Sequence, residues 1–143
     1  MANESTHDVT NHSTSKGLNI GLWVVQGLLF VVFTGTAVWK VATPVANLAA
    51  MIPWAGQVPA AFLYFTAVVD LAGGLGVLLP SLTRIEPRLT LLAALGCAAL
   101  QTSAIVFHVF RGEAANTPFN FFLVALSVFV FWGRRRAPIE PRA

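Results

Sequence analysis

The chain has 143 residues, of which 56% are hydrophobic and only 10% are charged, and its formal net charge is +3. A soluble domain carries about a quarter charged residues, so this composition requires a lipid environment and excludes repeat proteins, nucleic-acid readers and cytosolic α/β enzymes. The single cysteine, Cys97, excludes an intrachain disulfide and any paired-cysteine redox or metal site.

Polar segments at the two ends bound the apolar part of the chain. Residues 1–17 are rich in Ser, Thr and Asn and lack the basic start of a secretory signal, so we predict a disordered cytoplasmic tail. Residues 134–143 contain four arginines and are predicted to form a basic cytoplasmic tail. Residues 18–133 between them form the predicted membrane domain.

Charged residues divide the membrane domain into four apolar stretches, and a helix needs about 20 residues to cross a bilayer. We expect Pro80 to end the second span, and Thr117 and Pro118 to be the N-cap and first residue of the fourth. The uncharged, proline-rich residues 41–59 favour a short interfacial helix. The sequence therefore predicts an all-α fold: an integral membrane four-helix bundle with a short interfacial helix between helices 1 and 2. The predicted spans are residues 17–39, 60–79, 89–110 and 118–132.

Basic residues are distributed unequally between the two ends of these spans. Lys40 and Arg111 lie at one end, and seven basic residues lie at the other. Because cytoplasmic loops carry an excess of Lys and Arg, this asymmetry predicts a multi-pass protein of the plasma or inner membrane with both termini in the cytoplasm. The seven residues at the predicted cytoplasmic end are Lys16, Arg84, Arg88, Arg134, Arg135, Arg136 and Arg142.

Polar side chains within each predicted span fall on one helical face, with three- and four-residue spacing, so they should face the other helices rather than lipid. At 1.5 Å per residue, Asp70 and Gln101 lie near the midplane. Three others lie near the outer mouth, namely Lys40, His108 and Asn120, and Gln26 lies deeper still. Together they form a candidate ligand-binding pocket. Its six predicted members are Gln26, Lys40, Asp70, Gln101, His108 and Asn120.

Asp70 is the most informative of these residues, because an aspartate at the centre of a span costs about 2.5–3.5 kcal/mol on insertion scales. One hypothesis makes it a proton carrier or ligand anchor. The other makes it a neutral acid bonded to Gln101 or Gln26 that holds the helices in register. Lys40 either snorkels to the outer headgroups or joins the pocket, and His108 is either an interfacial polar residue or part of the same mouth.

Other features have structural interpretations. Cys97 and the glycine-rich residues 73–76 are predicted to pack between helices. The arginines at 134–136 are predicted to be a stop-transfer anchor. A metal site is not expected, because His108 and Cys97 lie about 16 Å apart along one helix.

Several of these stretches occur in an order that resembles the DoxX-like family of small four-helix membrane proteins, over residues 18–133. The family takes its name from a subunit linked to thiosulfate and quinone oxidoreduction, so the resemblance implies a role of that kind. The matching stretches are Gln26 and the residues up to Lys40, the run Asp70 to Pro80, Pro87-Arg88-Leu89-Thr90, His108 followed by Arg111-Gly112-Glu113, and Asn120.

Three functions remain open. The first is a membrane subunit or anchor of a quinone-linked or stress-related oxidoreductase, with quinone as the cofactor that the resemblance implies. The chain shows no cofactor motif, so in this hypothesis the electron carriers belong to a partner membrane or peripheral redox protein. The second is a non-enzymatic scaffold or chaperone that binds another membrane protein through the glycine-rich face. The third is a small transporter or proton-conducting element with the ladder His108, Gln101, Asp70 and Gln26. The bilayer is a partner in all three; no nucleic acid is expected, and homo-oligomerisation is left open.

Overall fold

The computed structural model describes residues 2–142, with side chains described for residues 16–142. This part of the chain is all-helical and contains no strand, which confirms the all-α prediction. Helix α1 begins at Ala2, within the predicted disordered tail. The side chains up to residue 15 lie outside the described part, so the tail stays a prediction. The five α-helices are α1 (Ala2–Ala42), α2 (Val45–Met51), α3 (Ala60–Thr83), α4 (Leu89–Phe110) and α5 (Pro118–Arg136), with 3-10 helices at Pro53–Gly56 and Ala114–Asn116.

Three helices are long and apolar enough to cross a membrane: Lys16–Ala42 of α1, the whole of α3 and the whole of α4. Their outward faces carry exposed apolar side chains, as expected of surfaces that meet lipid. The fourth predicted span, α5, does not join them because three arginines occupy its last turn. A four-span bundle therefore stays a prediction.

The four long helices pack in a closed order: α1 on α3, α3 on α4, α4 on α5, and α5 on α1. Glycines of α3 permit close approach on both of its sides. A Cβ on Gly74 would lie 2.6 Å from Thr34 Oγ1 of α1, and one on Gly76 would lie 2.8 Å from the Cβ of Ala93 of α4. Gly74 and Gly76 thus lie at contacts between the chain's own helices.

Prolines lie where two of the helices begin. Pro59 directly precedes α3, and Pro118 is the first residue of α5 with Thr117 as its N-cap, as predicted. The prediction that Pro80 ends the second span is wrong, because α3 continues through it to Thr83. A membrane helix tolerates one missing amide hydrogen bond when neighbouring helices hold it in place.

Residues 44–58 cover one end of the long helices and are called the cap segment below. The segment contains α2 and the 3-10 helix Pro53–Gly56, so a short helix does lie between the first two spans. Its residues Leu48 and Ala55 are fully buried against Leu63 of α3. This small apolar core fixes the cap segment to the start of α3.

Candidate functional site

A cavity of about 400 Å³ lies between the four long helices, beneath the cap segment. Five of the six predicted pocket residues line it, and the rest of its wall is mainly apolar and aromatic. Apolar cavities with a few convergent polar groups are typical of small-molecule sites. The polar lining includes Lys40, Asp70, Gln101, His108 and Asn120, and the aromatic lining includes Phe33, Trp54, Phe62, Phe107 and Phe119.

Asp70 forms a buried ion pair with Lys40. The Lys40 Nζ lies 2.6 Å from Asp70 Oδ2 and donates a second hydrogen bond to Thr66 Oγ1 at 3.1 Å. Less than a tenth of either charged side chain is exposed. The snorkelling interpretation of Lys40 is therefore wrong, and the partner of Asp70 is neither Gln101 nor Gln26.

The antiparallel arrangement of α1 and α3 explains why these two residues meet. Helical side chains lean toward the N-terminus of their own helix. Lys40 lies at the cap end of α1 and leans away from the cap, whereas Asp70 lies in the middle of α3 and leans toward it. The long aliphatic stem of Lys40 spans the remaining separation. Lys40 therefore pairs with Asp70, although the Cα of Lys40 lies at the mouth and Asp70 lies near the midplane.

A second polar pair crosses from α4 to α5. Asn120 Nδ2 donates to Gln101 Oε1 at 2.7 Å. Within residues 16–142, Gln101 Nε2 has no partner, Asn120 uses one of its two N–H groups, and Lys40 uses two of its three. Each of these three residues therefore has a spare N–H donor, which suits a ligand that presents oxygen acceptors.

Trp54 of the cap segment lines the cavity beside the ion pair. Its ring meets the ring of Phe107 edge-on, with centroids 5.8 Å apart, and lies 5.9 Å from Lys40 Nζ. Both contacts are favourable, because the ring edge of one aromatic meets the face of another and the ammonium approaches a π-system. The cap therefore contributes directly to the wall beside the ion pair.

Charged side chains at the mouth join α4 to the cap segment. His108 Nδ1 lies 3.0 Å from Glu113 Oε2, and Arg111 donates to Glu113 Oε1 from Nη2 at 3.1 Å. Arg111 also donates to the side-chain oxygen of Gln57 in the cap. His108 thus belongs both to the cavity lining and to the network that holds the cap over it.

This network should make the cap sensitive to acid. Hydrogen bonds from Arg111 and His108 hold the pKa of Glu113 below its ordinary value of 4.5. Because the folded pKa is the lower one, the contribution of Glu113 to stability is complete above about pH 4.5 and is lost as pH falls through the folded pKa. We expect the thermal unfolding midpoint to fall more steeply from about pH 5 to 3 in the wild type than in Glu113→Gln.

The control is Glu86→Gln, which removes an exposed carboxyl group that forms no ion pair within the described residues. It should keep the wild-type slope. Equal slopes in the wild type and Glu113→Gln would show that the mouth network does not depend on this carboxylate.

Gln26 does not reach the cavity, although its spacing placed it on the same face of α1 as Lys40. Its Nε2 donates to Val77 O at 2.7 Å and to Ser81 Oγ at 3.0 Å, and its Oε1 accepts from Arg134 Nε at 2.7 Å. These contacts place Gln26 in a separate buried polar cluster at the other end of the helices. Helical spacing indicates a face, and residues on one face can belong to sites at different depths.

Two cavity residues that contact Lys40 fall outside the predicted set. Thr66 lies one turn before Asp70 on the same face of α3, and its i−4 spacing is a signal that identifies it as a neighbour of the ion pair. Trp54 reaches the site through the fold of the cap segment, for which helical periodicity offers no signal.

The long apolar helices, together with the buried ion pair in an internal cavity, define a multi-pass helical membrane protein. The DoxX-like family model matches residues 24–130, which is most of the chain, and the chain belongs to this family. This match confirms the resemblance noted from the ordered motifs. A search of curated proteins and a search of solved structures returned no match.

Proposed function

We propose that this protein is a quinone-binding membrane subunit or anchor of an oxidoreductase system in the plasma or inner membrane. The observation that carries the proposal is the Lys40–Asp70 ion pair, buried in the wall of an otherwise aromatic cavity. Intramembrane ion pairs are costly and usually mark functional sites. In this proposal the electron carriers belong to a partner membrane or peripheral redox protein.

The proposal includes four membrane spans, with both termini of the chain in the cytoplasm. The outward face of α5 carries exposed Phe121, Phe122 and Val128, which suits contact with lipid. Its terminal arginines lie at the same end as Arg84 and Arg142, whose backbone groups are hydrogen-bonded to each other. Under the positive-inside rule this arginine-rich end faces the cytoplasm.

The cavity residues fit a quinone headgroup, which is a flat ring with carbonyl oxygens that only accept hydrogen bonds. Aromatic walls suit the ring, and the spare N–H groups of Lys40, Gln101 and Asn120 suit the oxygens. When bound, a quinone supplies the capacity to carry electrons, which this set of side chains lacks. Asp70 contributes by holding the Lys40 ammonium in the cavity wall.

The test begins with the full-length protein purified in mild detergent, from which bound quinones are extracted and quantified. Wild-type protein should carry quinone and should rebind an added short-chain quinone. We expect Asn120→Ala to weaken that rebinding about tenfold, because it removes a hydrogen-bond donor from the site while leaving the ion pair intact.

The matched control is Ser127→Ala on the same helix. The Ser127 hydroxyl is buried but donates only to Leu123 O within α5, and the residue does not line the cavity. This variant should bind quinone like the wild type. No co-purified quinone together with no rebinding would refute the proposal.

A further inference from the structure

A second cavity, of about 220 Å³, lies at the arginine-rich end and shares no lining residue with the first. Its walls come from the end of α3, the start of α4, the end of α5 and the C-terminal segment. The lining residues that matter here are Ser81, Arg88, Arg134 and Glu140. We call this space the basic cavity.

Arg134 is the unusual member of the basic cavity, because it is only 4% exposed and has no acidic partner among the described residues. Its Nε donates to Gln26, and its Nη1 donates to Asn19 Oδ1 at 2.7 Å and more weakly to Ala137 O. All of these acceptors are neutral. The Nη2 atom is buried and has no hydrogen-bond partner in the described part of the chain.

A buried guanidinium without a counter-charge is costly, and such groups are normally paired. The two arginines that follow behave as the stop-transfer interpretation expects, since Arg135 and Arg136 are exposed and lie over the rings of Phe131 and Trp132. Arg134 also lies over a ring, that of Trp23 at 5.0 Å, but it departs from that interpretation because it is buried. Arg134 lines a cavity instead of reaching solvent.

The opposite wall of the basic cavity is also positive. Arg88 is the N-cap residue of α4 and is exposed, with no hydrogen bond from its side chain within the described residues. The N-terminal end of a helix as long as α4 carries partial positive charge and favours anions. Two guanidinium groups and a helix N-terminus therefore border one small space.

The C-terminal segment closes the basic cavity from the outside. The Arg142 amide donates to Arg84 O at 2.8 Å, and Arg84 Nε donates to Glu140 O at 2.8 Å. These bonds hold residues 138–141 against the helices, where they line the cavity. The Glu140 side chain is exposed and forms no ion pair with Arg134 or Arg88, so the two arginines keep their charge available.

We propose that the basic cavity binds a phosphate group through Arg134 and Arg88. Paired guanidinium groups bind phosphate in bidentate geometry, and the volume accommodates a phosphate together with several waters. The group belongs either to an anionic phospholipid, whose headgroup lies at this level of a bilayer, or to a soluble phosphate compound. Both sources present the same charged oxygens to Arg134 and Arg88.

The experiment measures two probes on the delipidated full-length protein. Inorganic phosphate binding is titrated in a neutral detergent. For the lipid probe, the protein is placed in phosphatidylcholine nanodiscs that contain phosphatidylglycerol. Native mass spectrometry then measures the phosphatidylglycerol that the protein retains after its release from the nanodiscs. Binding of either probe supports the site, and the probe that binds identifies the source. Arg88→Gln should weaken binding about tenfold, because it removes a charge-assisted contact at an exposed position where folding is unaffected.

Two further variants make the test specific. Arg135→Gln removes the same charge from the same end without touching the cavity and should leave binding unchanged. Glu140→Gln removes a negative charge from the cavity lining and should tighten binding about twofold to threefold. The proposal is overturned if neither probe binds, or if Arg135→Gln weakens binding as much as Arg88→Gln.

Discussion

Lys40→Met should lower the free energy of unfolding by about 3–5 kcal/mol, because it leaves the carboxylate of Asp70 buried without its counter-charge. Methionine preserves most of the apolar stem, so the loss arises from the charge and its two hydrogen bonds. The measurement is unfolding from mixed micelles by a denaturing detergent, followed by tryptophan fluorescence.

The matched control is Lys16→Met, the same substitution at an exposed position on the same helix. It should change stability by less than about 0.5 kcal/mol. The double variant Lys40→Met/Asp70→Leu should recover much of the loss, because replacing both members of a buried pair by apolar groups is often nearly neutral. A double variant as unstable as the sum of its single variants would contradict the assigned ion pair.

Gly74→Ala should produce the second large loss, about 1–3 kcal/mol, because its added methyl group has no room between α3 and α1. The new Cβ would lie 2.6 Å from Thr34 Oγ1 and 3.1 Å from the Thr34 backbone nitrogen. A backbone atom cannot rotate away, so the helices must separate. The same unfolding assay measures the effect.

Gly35→Ala provides the comparison, since a Cβ at that position of α1 meets no atom within 4 Å. Alanine there should be neutral or stabilise the helix by up to about 1 kcal/mol, as glycine-to-alanine changes in open helical positions do. Equal losses at Gly74 and Gly35 would mean that the close packing of α3 against α1 is wrong.

The helices could be predicted from the sequence because charge and hydropathy bound them. The predicted third span, residues 89–110, coincides with α4, and the predicted start of the second span coincides with that of α3. The end of α3 differs from the prediction because the cost of Pro80 depends on neighbouring helices, which local sequence does not encode. Tertiary support overrides the local signal there.

Most of the polar residues of the site could be predicted from the sequence, but which of them pair with each other could not. Helical spacing placed five of the six pocket residues on the faces that meet at the cavity. The pairing of Lys40 with Asp70 depends on the relative height of two helices and on side-chain reach, which a single helix pattern does not contain. Arg134 could not be distinguished from Arg135 in sequence, because 100° of rotation around α5 decides which of them is buried.

An apolar layer separates the two polar regions of the interior. On α1, the layer falls between Gln26 and Lys40, which lie about 21 Å apart along the axis. Proton hopping needs an unbroken file of donors and acceptors, and the aliphatic and aromatic side chains of this layer provide none. A proton path between Asp70 and Gln26 would therefore need bridging water. Its side chains are Leu29, Phe33, Val77, Ala94, Cys97, Leu123 and Val130.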